Sequence, residues 1–277
     1  MSDIEHSIKT KIEAVGIPLK DWDIQINYGI KTGFNEAFII DSAKRNEILD
    51  ACQSEDERQR TAEIIRPILR GRDIKRYGYE WADQHIIATF PSRQYNIDDY
   101  PTLKEFLLSF GIERLEQTGK EYIIDGEKVK ARKKTNNKWF ETQDSISYWD
   151  EFSKPKIVWG NLNTRCSYAM APENMFINAP ACMIVPGSQY LLAILNSKVA
   201  DYYIRTLGVV RNGGFFEYKP MFVEQIPVPF PREEVVASIE DVFNSNEPDE
   251  LKDRRLEEII ESMFAFTKQE IAYLRDQ

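Results

Sequence analysis

Short apolar segments that end at proline or glycine recur along most of this 277-residue sequence, and they constrain the fold more than any other feature. His85–Phe90 has the character of a buried strand, and Lys156–Trp159 is a second such segment. The prolines of Gln225–Pro229 restrict that segment to a sheet edge. Gln189–Leu207 has helical spacing and is followed by a glycine. We therefore predict an α+β fold, in which a mixed α/β domain with a mixed sheet carries a C-terminal helical tail.

Three parts of the chain differ in pattern. Residues 1–21 contain a short amphipathic helical pattern, which we interpret as a linker helix. Residues 22–231 hold the predicted strands and form the body of the protein. Residues 232–277 are predicted to be an acidic tail of two helices. The tail carries an apolar stripe that needs a partner surface, made by Ile259, Met263, Phe266 and Ile271.

The negative charge of the chain is concentrated in the tail. The formal net charge is −9, which argues against a generic nucleic-acid-binding protein. Residues 232–277 hold 6 basic and 13 acidic residues and account for −7 of this charge, which leaves −2 for residues 1–231. A nearly neutral body binds nucleic acid when its positive charges lie on one face. The class of nucleic-acid-binding proteins therefore stays open.

The densest basic segment is Arg66–Tyr77, which contains five basic residues and one acidic residue. Its Gly71 lies between two arginines, at a position where a backbone without Cβ turns sharply or approaches a ligand closely. Planar, bidentate guanidinium groups suit phosphate or the edge of a guanine. A solvated basic loop is the alternative. The nucleic-acid contacts predicted in this segment are Arg70, Arg72, Lys75 and Arg76.

Three further segments are predicted to contact nucleic acid. Gly29–Asn35 is a turn between two strand-type segments, where backbone N–H groups suit phosphate. Residues 128–139 are basic and end beside aromatic side chains, which suits backbone contact with base stacking; a mobile surface loop is the alternative. Arg211–Phe216 is a glycine-containing turn with one cation. The predicted contact residues are Lys31, Thr32, Arg132, Lys133, Lys134, Arg211 and Asn212.

The residue types of the common catalytic sites are scarce in this sequence. His6 and His85 are the only histidines, so a zinc site or a histidine-based nucleophile is not supported. A DNA methylase that acts on an exocyclic amine needs an Asn/Asp-Pro-Pro-aromatic loop, and none occurs. We therefore predict no catalytic and no metal-binding residues in this chain.

A self-contained metal nuclease is one alternative interpretation. Its site would combine Glu217 and Lys219 with an upstream acid such as Asp201. The same Asp/Glu-x-Lys spacing occurs twice more, which makes the pattern unspecific. A second alternative is a protein-interaction module that uses the acidic tail.

Membrane and secretory features are missing from the sequence. It contains no apolar run of about 18 residues, and its N-terminus lacks the pattern of a signal peptide. Cys52, Cys166 and Cys182 form no CxxC pair, and we interpret them as reduced thiols. We predict a cytoplasmic protein with no membrane partner.

Five segments, taken together and in order, resemble a known family. They are Tyr28–Phe38, Leu69–Tyr77, Lys154–Trp159, Leu192–Lys198 and Phe222–Pro229. They resemble the TaqI-type C-terminal specificity domain, the target-recognition part of type IIG restriction-modification enzymes and adenine-specific DNA methyltransferases. The resemblance covers roughly residues 22–231.

This resemblance implies a non-catalytic domain that recognises a specific double-stranded DNA sequence. In the family, the methyltransferase, and often a nuclease, lies N-terminal to this region. Residues 1–21 would then be the linker from an upstream catalytic domain, and the expected partners are duplex DNA and that domain. The chain would position a target adenine for the methyltransferase. S-adenosylmethionine and magnesium are expected only for the upstream domains, and no cofactor is expected for this one.

The resemblance also distinguishes two kinds of DNA contact. The family recognises many DNA sequences, so the segments that its members share cannot all contact bases. We therefore assign the Lys31–Thr32 turn and Arg70 and Arg72 to the scaffold or to phosphate contacts. Base contacts are expected in residues 128–139, 161–176 and 211–216.

Overall fold

The computed structural model describes residues 2–208 and 210–277. Short strands form its centre, as the punctuated apolar segments predict. They are β1 (Gly16–Pro18), β2 (Gln25–Tyr28), β3 (Ile39–Asp41), β4 (Ile65–Leu69), β5 (Ile74–Lys75), β6 (Gly78–Tyr79), β7 (Gln84–Ile87), β8 (Glu121–Ile124), β9 (Glu127–Lys130), β10 (Lys156–Trp159), β11 (Leu162–Asn163), β12 (Tyr168–Ala171), β13 (Phe176–Ile177), β14 (Cys182–Val185), β15 (Phe216–Glu217) and β16 (Pro227–Pro229).

Helices surround the strands on two sides. They are α1 (Asp3–Val15), α2 (Asn35–Phe38), α3 (Ser42–Asp50), α4 (Glu55–Ile64), α5 (Pro101–Leu108), α6 (Ile112–Leu115), α7 (Gln189–Leu195), α8 (Lys198–Arg205), α9 (Pro220–Val223), α10 (Glu233–Asn244), α11 (Asp249–Glu261) and α12 (Lys268–Arg275). None of the helices in the described part of the chain is both long enough and apolar enough to cross a membrane.

Two four-stranded sheets carry the fold. The first has the strand order β12-β10-β14-β2 and is antiparallel throughout. The second has the order β13-β4-β7-β3 and is mixed, because β13 runs parallel to β4 while the other pairs are antiparallel. The predicted α+β fold with a mixed sheet is confirmed.

The elements form four layers, which three hydrophobic clusters separate. The layers are the helices α1, α7 and α8 with the tail, the first sheet, the second sheet, and the helices α3 to α6. In β10, Ile157 and Trp159 join the cluster beneath α1, α7, α8 and the tail helices, whereas Val158 joins the cluster between the two sheets. In β7, Ile86 lies between the sheets and Ile87 faces α3 to α6. Successive strand residues point to opposite faces, so both sheets are buried on both sides. This double burial explains why the central strands are continuously apolar.

The predicted apolar stripe of the tail packs against the body. The fully buried apolar residues of α11, α12 and the turn between them are Leu256, Ile260, Phe264 and Leu274, which neighbour the predicted stripe and join the cluster beneath α7 and α8. Ile271, a predicted member of the stripe, is half-buried. Ile259, Met263 and Phe266 are partly buried at the edge of the same cluster. The buried face of α11 is thus shifted by about one position in the sequence relative to the predicted stripe. The division of the chain at residues 21 and 231 stays a prediction.

The helix predicted for Gln189–Leu207 is interrupted and forms two helices, α7 and α8. Between them, the side-chain amide of Asn196 donates to the carbonyl oxygen of Tyr168 and accepts from its N–H group, at 2.9 Å in both cases. Ser197 then accepts from the Ala200 N–H group and caps α8. Asn196 and Ser197 therefore interrupt the predicted helix, because Asn196 binds the backbone of the neighbouring strand β12 and Ser197 begins a new helix.

Candidate nucleic-acid interface

A concave, positively charged surface lies beside the ends of β4 and β10. It is a cleft of about 680 Å³ between the turn after β4, the segment after β10 and the turn at residues 178–180. We call it the basic cleft. Among the described residues, those that line it include four asparagines and no carboxylate, in a chain of net charge −9. Its basic lining residues are Arg70, Arg72, Lys75, Arg76 and Arg165.

Backbone contacts hold the two sides of the cleft together. Gly71 and Gly160 face each other so closely that a Cβ atom on Gly160 would lie 3.1 Å from the Gly71 carbonyl oxygen. The N–H group of Asn178 donates to the Leu69 carbonyl oxygen at 2.8 Å. The Gly71 turn predicted from sequence is therefore a site of close backbone approach, and a side chain at Gly160 would push the two segments apart.

Arg70 is paired with the acidic residue of its own segment. Its Nε and Nη2 atoms donate to the two carboxylate oxygens of Asp73 at 3.0 and 2.8 Å, and its backbone N–H group donates to Asp73 as well. Burial raises the pKa of Asp73, but the bonds from Arg70 outweigh this effect and hold that pKa below its usual value. The pair fixes the turn, which is the scaffold role that the sequence left open for Arg70.

Arg72 and Lys75 differ from Arg70 because their charges are exposed. Among the described residues, neither forms a salt bridge; the Lys75 ammonium group donates to the Arg72 carbonyl oxygen at 3.0 Å. Arg76 is largely buried: its guanidinium group lies 2.5 Å from Asp253 and 3.6 Å from Glu257 of the tail. Among the cations of this segment that line the cleft, free positive charge therefore resides on Arg72 and Lys75.

The structure favours the scaffold alternative for Thr32 and corrects the predicted DNA contact of Arg132. Thr32 is fully buried, and its hydroxyl group donates to Asn35 and accepts from the Phe34 N–H group. Arg132 is 4% exposed and stacks over the Phe38 ring. Burial lowers the pKa of Arg132 to about 10. Its guanidinium group donates to backbone oxygens of four residues: Leu115, Thr32, Glu141 and Trp139. Neither side chain is accessible to DNA, so both have scaffold roles.

The remaining predicted contacts lie on the surface but outside the lining of the basic cleft. Lys31, Lys133 and Lys134 are exposed, and Lys31 faces a separate hollow near Thr135. Arg211 pairs with Glu217 at 2.9 Å, and Asn212 is exposed in the same turn. This turn adjoins the cleft because β15 pairs with β11, where Asn163 is opposite Phe216.

Sequence reasoning missed Asn161 and Arg165 as individual site residues, although it placed base contacts within 161–176. Both side chains line the basic cleft. The available signal is the alternation of polar residues at 161, 163 and 165 directly after the buried strand β10. In an extended segment such residues share one face, which is the pattern of a polar wall.

The carboxylates considered for a nuclease have structural partners. Asp201 accepts bonds from the Tyr218 hydroxyl group and from Arg205, at 2.6 and 3.1 Å. Glu217 forms salt bridges with Arg211 and Lys219. Across residues 2–208 and 210–277, no group of three or more His, Cys, Asp or Glu side chains is arranged to hold a metal ion. Asp201 and Glu217 are therefore both engaged by neighbouring side chains.

The sequence of the chain matches one known protein family. The model of the TaqI-like C-terminal specificity domain matches residues 66–228, and the chain belongs to this family. The resemblance found in the sequence is confirmed. Among curated proteins, the chain is 23% identical over 274 residues to the type II methyltransferase M.BstVI of Geobacillus stearothermophilus. That match covers 94% of this chain and 43% of the relative, so the chain spans less than half of the relative's length.

Two solved restriction-modification enzymes have a similar fold. The type IIL enzyme MmeI, solved in complex with DNA, matches with a TM-score of 0.63 and 14% identity, over 94% of this chain and 35% of that one. The type IIG restriction endonuclease BpuSI matches with a TM-score of 0.58 and 12% identity, over 99% of this chain and 32% of that one. At these identities, the matches establish a shared fold.

Proposed function

We propose that this chain recognises a specific sequence of double-stranded DNA for a restriction-modification system and positions a target adenine for a methyltransferase. The observation that carries the proposal is the basic cleft, whose lining within residues 2–208 and 210–277 has no carboxylate, in an acidic chain that belongs to a specificity-domain family. Cations without internal partners attract phosphates, because binding releases the counterions that DNA condenses.

Within this proposal the basic residues of the cleft have two roles, which depend on whether their charge is paired with a carboxylate. Arg72 and Lys75 contact phosphate, since their charges are exposed and carry no salt bridge in the described part of the chain. Arg70 and Arg76 orient the cleft through their acidic partners. Lys31, Lys133, Lys134, Arg211 and Asn212 are candidates for outer contacts with flanking DNA. Such contacts strengthen binding without adding sequence information.

The proposal is tested by titrating the chain into a labelled duplex pool of mixed sequence at a series of salt concentrations. We expect the logarithm of the binding constant to fall linearly with the logarithm of the salt concentration, by about 0.9 for each phosphate contact. The charge reversals Arg72→Glu and Lys75→Glu should reduce both the affinity and the slope. Absence of binding, or binding that salt does not weaken, would contradict the proposal.

We also propose that this chain has no catalytic activity of its own and that a methyltransferase domain supplies the chemistry. The missing Asn/Asp-Pro-Pro-aromatic loop supports this proposal, as does the 43% share of M.BstVI that the chain covers. S-adenosylmethionine and magnesium would then bind to that domain. We expect no S-adenosylmethionine binding by calorimetry and no DNA cleavage with added magnesium. Micromolar affinity for S-adenosylmethionine would disprove the proposal.

A further inference from the structure

One wall of the basic cleft is a segment whose backbone is held firmly while the polar side chains of Asn161 and Arg165 have no partner among the described residues. This segment, residues 160–167, follows β10 and contains β11. Near its start, the carbonyl oxygen of Asn161 accepts from the Tyr218 N–H group at 2.8 Å. The side-chain amide of Asn163 then donates to the Gly160 carbonyl oxygen at 2.9 Å. The pairing of β11 with β15 fixes the part in between.

A cluster of three side chains on α8 and the loop after β15 holds the other end of the segment. Arg205 donates to the carbonyl oxygen of Thr164 at 2.5 Å, and Asp201 accepts from the Cys166 N–H group at 3.1 Å. Arg205 and the Tyr218 hydroxyl group both donate to Asp201, so the cluster is internally bonded. The backbone of the segment is therefore positioned before any ligand binds.

Two side chains of this segment are free. The amide of Asn161 and the guanidinium group of Arg165 line the cleft, and neither forms a side-chain hydrogen bond or salt bridge with another described residue. Polar groups on an ordered backbone lose little conformational freedom when they bind. This combination differs from that of Arg70, whose guanidinium group is occupied by Asp73.

We propose that residues 160–167 are the base-reading segment of the cleft, in which Asn161 and Arg165 determine specificity. The proposal rests on the proposed function. The amide of Asn161 matches adenine, and the guanidinium group of Arg165 matches the O6 and N7 atoms of guanine. Arg72 and Lys75, on the opposite wall, hold the phosphate backbone. Asp201 is a positioning residue, because it acts on DNA only through the backbone that it orients.

The experiment is a selection by the full chain from a duplex library with a randomised central segment, followed by sequencing. We expect the wild type to enrich one motif. Arg165→Ala should keep that motif but lose a single guanine position, and Asn161→Ala should lose a single adenine position, each with discrimination reduced about 5- to 150-fold. Lys75→Ala is the matched control, and it should lower recovery while every position of the motif is kept.

The outcomes separate the inference from the proposed function. If the wild type enriches a motif and both Asn161→Ala and Arg165→Ala enrich the same motif with unchanged discrimination, the base-reading assignment is disproved and sequence recognition stands. If the wild type enriches nothing, sequence recognition and the base-reading assignment both fail.

Asp201→Asn tests the positioning role. We expect Asp201→Asn to reduce discrimination at the adenine position and at the guanine position simultaneously. Thermal unfolding should show that the variant remains folded. An Asp201→Asn protein that is less stable but selects the wild-type motif would show that the Asp201 cluster only stabilises the fold.

Discussion

The two segments of this protein with a high density of basic residues, 66–77 and 128–138, have different structural roles. In the first, two of the cleft cations, Arg70 and Arg76, have internal acidic partners, whereas Arg72 and Lys75 are exposed. In the second, the single arginine, Arg132, lies in the interior. The lysines around it remain outside the lining of the cleft. Local charge in a sequence therefore does not identify the cations that are free to bind.

The difference follows from the chemistry of the two cations. An arginine presents five donors in a planar fork, so it can satisfy several carbonyl oxygens at once inside a protein. Arg132 donates to four backbone carbonyl oxygens. These oxygens belong to three connecting segments that meet at this point and are not paired in a sheet. A lysine ammonium group has three donors and no planar fork, and Lys133 and Lys134 lie at the surface.

The largest expected effect comes from Arg132. Arg132→Met keeps most of the apolar contact with Phe38 but leaves the four carbonyl oxygens without their donor. We expect the free energy of unfolding to fall by about 3–5 kcal/mol, because buried polar groups lose their partners. Denaturant titration measures this change. Lys133→Ala is the matched control and should change stability by less than about 0.5 kcal/mol. Equal effects of the two substitutions would refute an internal role for Arg132.

Asp73 should have the second largest effect. Asp73→Ala removes the acceptor for the backbone and guanidinium groups of Arg70, so we expect a loss of about 2–3 kcal/mol in the free energy of unfolding. The liberated Arg70 guanidinium group would then add positive charge to the cleft and strengthen non-specific DNA binding. A variant that loses stability without any gain in DNA affinity would show that Arg70 stays out of the cleft.

Glu257, which faces Arg76, makes the stability depend on pH. Burial raises the pKa of Glu257 to about 7, although the Lys198 N–H group and Arg76 oppose this shift. The folded protein therefore holds this proton more tightly than the unfolded chain, whose carboxyl pKa is about 4.5. The resulting stabilisation is complete below pH 4.5 and is lost as the pH rises through 7. Glu257→Gln removes this dependence.

The measurement is the difference in unfolding free energy between the wild type and Glu257→Gln at pH 5 and at pH 8. We expect the variant to gain about 1–3 kcal/mol relative to the wild type over this interval. A difference that stays constant with pH would show that Glu257 titrates normally and that the contact between the tail and Arg76 is exposed to water.

The sequence predicts the fold better than it predicts the site. The apolar strands, the α+β class and the packing of the tail follow from periodicity, because burial demands apolar faces. Arg132 could not be assigned correctly, since its partners are backbone oxygens of other segments, one of them that of the sequence-distant Thr32. Arg165 was missed because it becomes part of the site only when the segment after β10 packs beside the turn at Gly71.

The central claim is that free cations of the basic cleft, and not basic residues in general, bind DNA. It is tested most directly by the salt dependence of duplex binding for two charge-matched double variants, Arg72→Ala/Lys75→Ala and Lys133→Ala/Lys134→Ala. The account predicts that the first variant lowers the slope of log affinity against log salt by about 1.8, and that the second changes it by much less. Equal slopes for the two variants, or a larger loss for the second, would contradict the account.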